Sequence, residues 1–406
     1  MKRIDFSLLG DQTVVFKLSQ VRVLENKLSH SIYRNRIVAC LATCCLLLGP
    51  GITRGADSNE IAFEIQGEYV GRIVHPDFPT KSGLQIVATS NIDFTAYLLA
   101  GGLPGAGWDQ VNRVLFSASG TGNLQFQSPE SPIELTRLAQ YPNLIFVYHN
   151  GFRIGTFHKK YRDSPTMHLA PPAGAIVLFN GVDAPRLKDA KINPNGTLGI
   201  GAETTDLIQN ARIHVEFRTP FTPEKEGQSR GNSGVYIQRR YEVQILDSFA
   251  LDLEANRCGG LYRQKSADIN MALPPRSWQT YDIYFYSAKF DDAGKRNQRA
   301  RITVVQNGVK IHDNYELISK TGAGRAESPQ PGPIWFQNHG DPVEFRNLWL
   351  VNLDDGEVLS SDLNPAYGIF EKAAGRADEQ NVATDSLCVP KRTGPIQRMI
   401  GRLPGR

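Results

Sequence analysis

Between Gly231 and Asp247 the chain reads Gly-Asn-Ser-Gly-Val-Tyr-Ile-Gln-Arg-Arg-Tyr-Glu-Val-Gln-Ile-Leu-Asp. Two alternating runs meet at a short basic turn. Val235 and Ile237 point one way, with Gly234, Tyr236 and Gln238 opposite. Val243 and Ile245 repeat the apolar side, against Glu242 and Gln244. A period of two is that of a half-buried strand. The stretch therefore predicts an antiparallel pair with one apolar face and one face of Tyr, Gln and Glu, the groups that bind sugar hydroxyls.

Similar short runs recur along the chain. Glu68–Val74, Gly83–Ala88, Phe94–Leu99 and Leu144–Tyr148 predict a small β-rich N-terminal domain over residues 57–170. There the Gly/Pro-rich segment Gly101–Asp109 is read as a packing elbow, with a binding loop as the other reading. Pro171-Pro172-Ala173-Gly174 reads as a linker. Beyond it, His214–Arg218, Tyr281–Phe285 and Arg301–Val305 read as strands, and Asn307-Gly308 signals a hairpin. Many strands at turn-limited spacing predict an all-β sandwich over residues 171–355. Residues 356–406 read as a flexible, partly helical tail.

The net charge of +4 is concentrated at the front. The first 56 residues hold eight basic residues against three acids, leaving 37 basic and 38 acidic residues in the remainder. Without a basic excess, a nucleic-acid partner is not expected. Arg34 and Arg36 precede the apolar run Ile37–Leu48, and small residues follow. Residues 1–56 thus read as an export signal, and the run is too short to span a bilayer. A periplasmic or secreted protein with no stable transmembrane segment is expected. Cys258 and Cys388 alone remain after processing, too few for a disulfide framework.

The stretches Ala175–Gly181, Gly231–Tyr236, Tyr241–Ser248, Cys258–Tyr262, Trp278–Asp282, Gly332–Gly340 and Phe345–Trp349 follow in the order found in the 3-keto-disaccharide hydrolase domain family. The chain resembles that family over nearly half its length. The resemblance implies a concanavalin-like jelly-roll sandwich, an extracytoplasmic location and action on 3-keto-glycosides. It also implies an oxidised di- or oligosaccharide as substrate, with a sugar 3-oxidoreductase acting upstream.

Glu242-x-Gln244-x-x-Asp247 is similar to the Glu-x-Asp-x-x-Glu strand motif of sandwich-fold retaining glycosidases, with one acid turned into an amide. Direct displacement needs two carboxyl groups about 5–5.5 Å apart. A 3-keto sugar offers another path, because its ketone acidifies the C2 proton. That path needs one base, one group for the enolate oxygen and one acid for the leaving group. Glu242 is the expected base, Asp247 or His339 the acid, and Arg346 the enolate partner.

Tyr236, Gln238, Gln244, Tyr262, Trp335 and Gln337 are the expected substrate-binding residues. Trp278 is a further aromatic candidate, and Trp349 is read as inward-packing. Structural roles stay open: Glu242 paired with Arg239 or Arg240, Asp247 as a cap, His339 as a turn residue, Arg346 paired with Glu344 or another acid. No cofactor is expected, and a structural calcium on Asp291, Asp292 or Asp341 is left open. A non-catalytic, lectin-like sandwich is the alternative, and a glycosidase acting on unoxidised glycans the third reading.

Overall fold

The computed structural model describes residues 57–353, so the export-signal and tail readings lie outside the described residues. The first eight strands are β1 (Gly67–Ile73), β2 (Lys81–Ala88), β3 (Asp93–Ala100), β4 (Arg113–Ser119), β5 (Leu124–Phe126), β6 (Ile133–Arg137), β7 (Leu144–His149) and β8 (Phe152–Lys160). They pair in the order β4-β3-β2-β1-β8-β7-β6-β5. Two backbone bonds of 3.0 Å between Ser117 and Gln127 join β4 to the end of β5. The sheet thereby closes into an up-and-down barrel, which leaves no open edge. Alternate residues such as Tyr69, Ile86, Phe94, Phe116, Phe126 and Phe157 fill the interior, and α1 (Ser58–Ile65) adds Ala62 and Ile65 to that core.

The following strands are β9 (Ile176–Phe179), β10 (Leu187–Lys188), β11 (Glu203–Thr204), β12 (Ala211–Arg218), β13 (Ser233–Ile237), β14 (Tyr241–Ile245), β15 (Gln279–Tyr286), β16 (Lys289–Phe290), β17 (Arg296–Gln298), β18 (Arg301–Gln306), β19 (Val309–Glu316), β20 (Trp335–Phe336) and β21 (Glu344–Asn352). A five-stranded sheet runs β10-β11-β20-β13-β14, and a six-stranded sheet runs β19-β18-β15-β12-β21-β9. β16 and β17 form a separate hairpin. Val235, Ile237, Val243, Ile245 and Phe336 from the smaller sheet pack against Ile213, Val215, Phe217, Ile283, Val304 and Phe345 from the larger. Each such buried side chain contributes about 1.5–3 kcal/mol. The result is the expected all-β sandwich. Asn307 and Gly308 take positive φ of 50° and 79°, as the β18–β19 hairpin turn requires.

Barrel and sandwich belong to one compact unit. Phe221, from the connection before β13, joins the barrel core. Gly105, in the Gly/Pro-rich segment, sits so close to the sandwich that a Cβ would stand 2.9 Å from Met271 Sδ. That segment is a packing elbow. Arg230 donates from Nε to Asp247 at 2.7 Å and from Nη2 to the Ala88 carbonyl of β2 at 3.1 Å. Among the described residues no helix is long and apolar enough to cross a membrane.

Trp349 is fully buried but does not enter the sandwich core. Its neighbours Leu348 and Leu350 do, so alternation turns the indole outward, where it stacks on His214 at 5.0 Å and donates to the Leu169 carbonyl. The segment preceding β9 covers it, which is why an outward residue is dry.

Candidate functional site

The outer face of the five-stranded sheet carries a row of side chains built by register. Glu203 pairs with Trp335, Trp335 with Tyr236, and Tyr236 with Glu242. A bridge between Val243 and Leu261 extends the sheet, with the Tyr262 amide 3.3 Å from the Glu242 carbonyl. Glu203, Trp335, Tyr236, Glu242 and Tyr262 therefore lie side by side across five segments. The neighbouring row holds Gln337, Gly234 and Gln244, since the Gln337 amide donates to the Gly234 carbonyl and Gly234 pairs with Gln244.

Glu242 is the centre of this face. It is only 2% exposed, and burial pushes its carboxyl up to about 7, although the Tyr236 hydroxyl donating to Oε2 at 2.7 Å works the other way. The Tyr236 phenol is itself pushed up, by burial first and then by the Glu242 charge. One end of the Gln244 amide lies 2.9 Å from Glu242 Oε1, and the other lies 3.2 Å from Gln228 Oε1 and Asn232 Oδ1. With its nitrogen turned to Glu242, the Gln244 amide donates to Oε1 and to the Ser233 carbonyl at 3.0 Å.

Gly234 makes room for this carboxyl, because a Cβ there would run into Glu242 Oε1. Gly234→Ala is expected to keep the strand and lower turnover by about 100-fold, since a displacement of about 1 Å at a reacting group costs that much. Steady-state kinetics beside a thermal melt would check it.

A cover segment, residues 321–325, lies over Glu242. Thr321 and Arg325 donate their amides to the Arg240 and Arg239 carbonyls at 2.8 and 2.7 Å, and the Glu242 amide donates to Thr321 Oγ1 at 2.6 Å. Gly322, at φ +41°, has no room for a side chain. A Cβ would stand 3.0 Å from Glu242 Oε2, Tyr236 Oη and Tyr262 Cδ1. Sequence reasoning missed this segment, and its signal was the Gly-x-Gly spacing of Gly322 and Gly324.

Trp335 and Gln337 sit on the face opposite Ile334 and Phe336, as alternation predicted. The Trp335 ring is not an open platform, however. The Arg239 guanidinium stacks 3.7 Å from its centroid while Nε donates to Glu203 at 2.5 Å. Gln337 Oε1 is buried without a hydrogen-bond partner among the described residues, an acceptor left for an incoming hydroxyl.

Four expected site residues are not brought to this face. Gln238 does not continue β13; it and Arg239 take positive φ of 54° and 58° in the turn, and its amide is consumed by the Ile208 carbonyl, Ser287 and Arg240. Asp247 lies past the end of β14, fully buried and held by Arg230. Burial pushes its carboxyl up while the guanidinium opposes. His339 is exposed in the turn after β20. Arg346 belongs to β21 of the other sheet. Phe345 takes the core side, so Arg346 faces outward on the far side of the sandwich, where it has the structural acid partner left open above, Glu216 at 2.7 Å, and not Glu344. Neither Arg239 nor Arg240 pairs with Glu242; Arg240 serves Gln238 and the Gln330 carbonyl instead. Trp278 also lies on that far side, against Arg346. No cluster of three or more His, Cys, Asp or Glu placed to hold a metal occurs among the described residues, and Asp341 instead takes Lys225 and the Asn232 amide.

Fold and family match together define a glycoside hydrolase-like β-sandwich. Residues 174–351 match the model of the 3-keto-alpha-glucoside-1,2-lyase-like domain. Through these residues the chain belongs to that family, the one its sequence motifs resemble. Among solved structures it is similar to a "putative glycosyl hydrolase" from Parabacteroides distasonis, 30% identical over 45% of this chain and 85% of that one, with a TM-score of 0.42. A second protein of the same description and organism is 19% identical over 45% of this chain and 94% of that one, with a TM-score of 0.34. No curated protein matches the chain.

Proposed function

We propose that the outer face of the five-stranded sheet cleaves the C1–O bond of 3-keto-glycosides by elimination followed by hydration. The observation that carries this reading is Glu242, a buried carboxyl raised to about 7 amid a row of aromatic and amide side chains. Such a group is matched to proton transfer at neutral pH. The ionised carboxylate takes the C2 proton, the electrons pass to the C3 ketone, and the enolate collapses with expulsion of the C1 oxygen. The proton on Glu242 returns to that oxygen, a task for which Asp247 and His339 are not placed. Water then adds to the enone to give the free 3-keto sugar. Gln337 Oε1 and the Gln244 amide bind sugar hydroxyls. With Glu242 only 2% exposed, residues 321–325 must lift for substrate to enter. The substrate requires prior oxidation at C3 by a sugar 3-oxidoreductase, and we place the protein outside the cytoplasm on the strength of the expected export signal.

The test is incubation of the protein with a 3-keto-disaccharide and, separately, with its unoxidised parent. Cleavage of the keto sugar alone is expected. Cleavage of the parent as well would make the protein an ordinary glycosidase. Saturable binding of both without cleavage would make it a lectin-like module.

A further inference from the structure

On the far side of the sandwich, between the six-stranded sheet and the barrel, lies a cleft of about 840 Å³. Ligand sites span about 300–1,000 Å³. Its floor is a stack of planar groups, with the Arg346 guanidinium 4.0 Å and that of Arg218 4.9 Å from the Trp278 ring centroid. Arg346 is fixed at its edge as well. Nε donates to Glu216 at 2.7 Å, and Nη2 lies 3.2 Å from Met167 Sδ and 3.5 Å from His168 Nε2. Nη1 has no hydrogen-bond partner among the described residues. A guanidinium held this way loses little freedom on gripping a ligand.

Behind Arg346 ionisable groups continue inward. The fully buried Glu216 carboxylate also accepts from the His168 backbone and Asn347. His214 Nε2 stands 3.6 Å from it, and His214 Nδ1 meets Asp282 at 2.9 Å. Burial opposes ionisation of Glu216, yet these neighbours bring its carboxyl down to about 2. The chain Asp282, His214, Glu216, Arg346 therefore ends in a cation at the cleft. Among the lining residues, the acids Glu64, Glu68 and Asp163 are matched in number by Lys159, Lys160 and Arg162, and Arg346 is paired with Glu216 behind it, so what the cleft offers an anion is the unoccupied Nη1 edge of a fixed guanidinium rather than a surplus of charge. Leu273 and Pro274 supply an apolar wall that suits the C–H face of a pyranose.

We propose that this cleft is a second binding site, separate from the Glu242 face, for an acidic saccharide whose carboxylate is held by Arg346. The ligand class is a sugar ring bearing a carboxylate, as in a uronic acid. Arg346 is the anchor, Lys160 a second cation of the lining, and Trp278 sets the plane of the guanidinium.

Calorimetric titration of the full chain with glucuronic acid and with glucose tests the proposal. Glucuronic acid is expected to bind at least tenfold more tightly than glucose and to weaken with salt. Arg346→Ala should weaken it at least tenfold, Arg346→Lys several-fold and Lys160→Ala a few-fold. Glu242→Gln should leave it unchanged, which separates this site from the face that carries the proposed cleavage. A melting curve establishes that each variant is folded; should Arg346→Ala unfold, Arg346→Lys and Lys160→Ala carry the decision. Equal binding of glucose, no binding of glucuronic acid, or binding indifferent to Arg346 and Lys160 would overturn the proposal, and loss of binding in Glu242→Gln would move the ligand to the other face.

Discussion

Glu242→Gln is expected to lower cleavage of a 3-keto-glycoside by about 10²–10⁴-fold, the contribution of a positioned general base, and to make the protein more stable at pH 8. Both effects come from one property. The carboxyl has an ordinary value of 4.5 and a folded value of about 7, so between those limits the folded state holds a proton that the unfolded state has lost. Its contribution to stability is complete below about pH 4.5 and is lost as pH rises through about 7. A shift of this size corresponds to about 3 kcal/mol. Glutamine carries no such penalty. The variant should therefore match the wild type near pH 4 and exceed it by up to about 3 kcal/mol at pH 8, as read by urea unfolding. Activity of the wild type should move the opposite way, rising through pH 7 as the base ionises. A variant that lost stability at pH 8 would show that Glu242 is a structural carboxylate.

Arg230→Ala is expected to have the largest effect on stability, a loss of about 3–5 kcal/mol, because it strands a buried charge. Arg230 is the partner of Asp247 at 2.7 Å and also donates to the Ala88 carbonyl of the barrel and the Pro223 carbonyl. Removing it leaves a fully buried carboxylate and two carbonyls to be satisfied by water or not at all. Asp247→Asn also leaves a buried charge, that of Arg230, but should cost less, since the amide oxygen can still accept from Nε and the guanidinium keeps the Ala88 and Pro223 carbonyls. The measurement is urea unfolding of both variants. A cost below about 1 kcal/mol for Arg230→Ala would mean that neither its pair with Asp247 nor its bond to the Ala88 carbonyl of the barrel contributes to stability.

The two acids of the Glu242-x-Gln244-x-x-Asp247 motif thus have different fates, and only one of them was legible in the sequence. Alternation gives a side chain's face relative to its own strand, so Tyr236, Glu242, Gln244, Trp335 and Gln337 were read onto one polar face, where the register places them. It fails where the strand stops, as at Gln238 and Asp247. It also does not say which of two stacked sheets a strand joins. Arg346 was grouped with Glu242 on that ground, although β21 pairs with β12 in the opposite sheet. The closure of the barrel at Ser117 and Gln127, and the fold of residues 321–325 onto Glu242, are non-local contacts between segments with no shared pattern. Periodicity carries no information about such pairs.

The most direct test of the central claim is the rate of cleavage of a 3-keto-disaccharide carrying deuterium at C2. Removal of that proton by Glu242 predicts a primary isotope effect on kcat/KM and deuterium missing from C2 of the released keto sugar. Cleavage at the undiminished rate, with the C2 deuterium retained, would contradict elimination and place the chemistry at C1 alone.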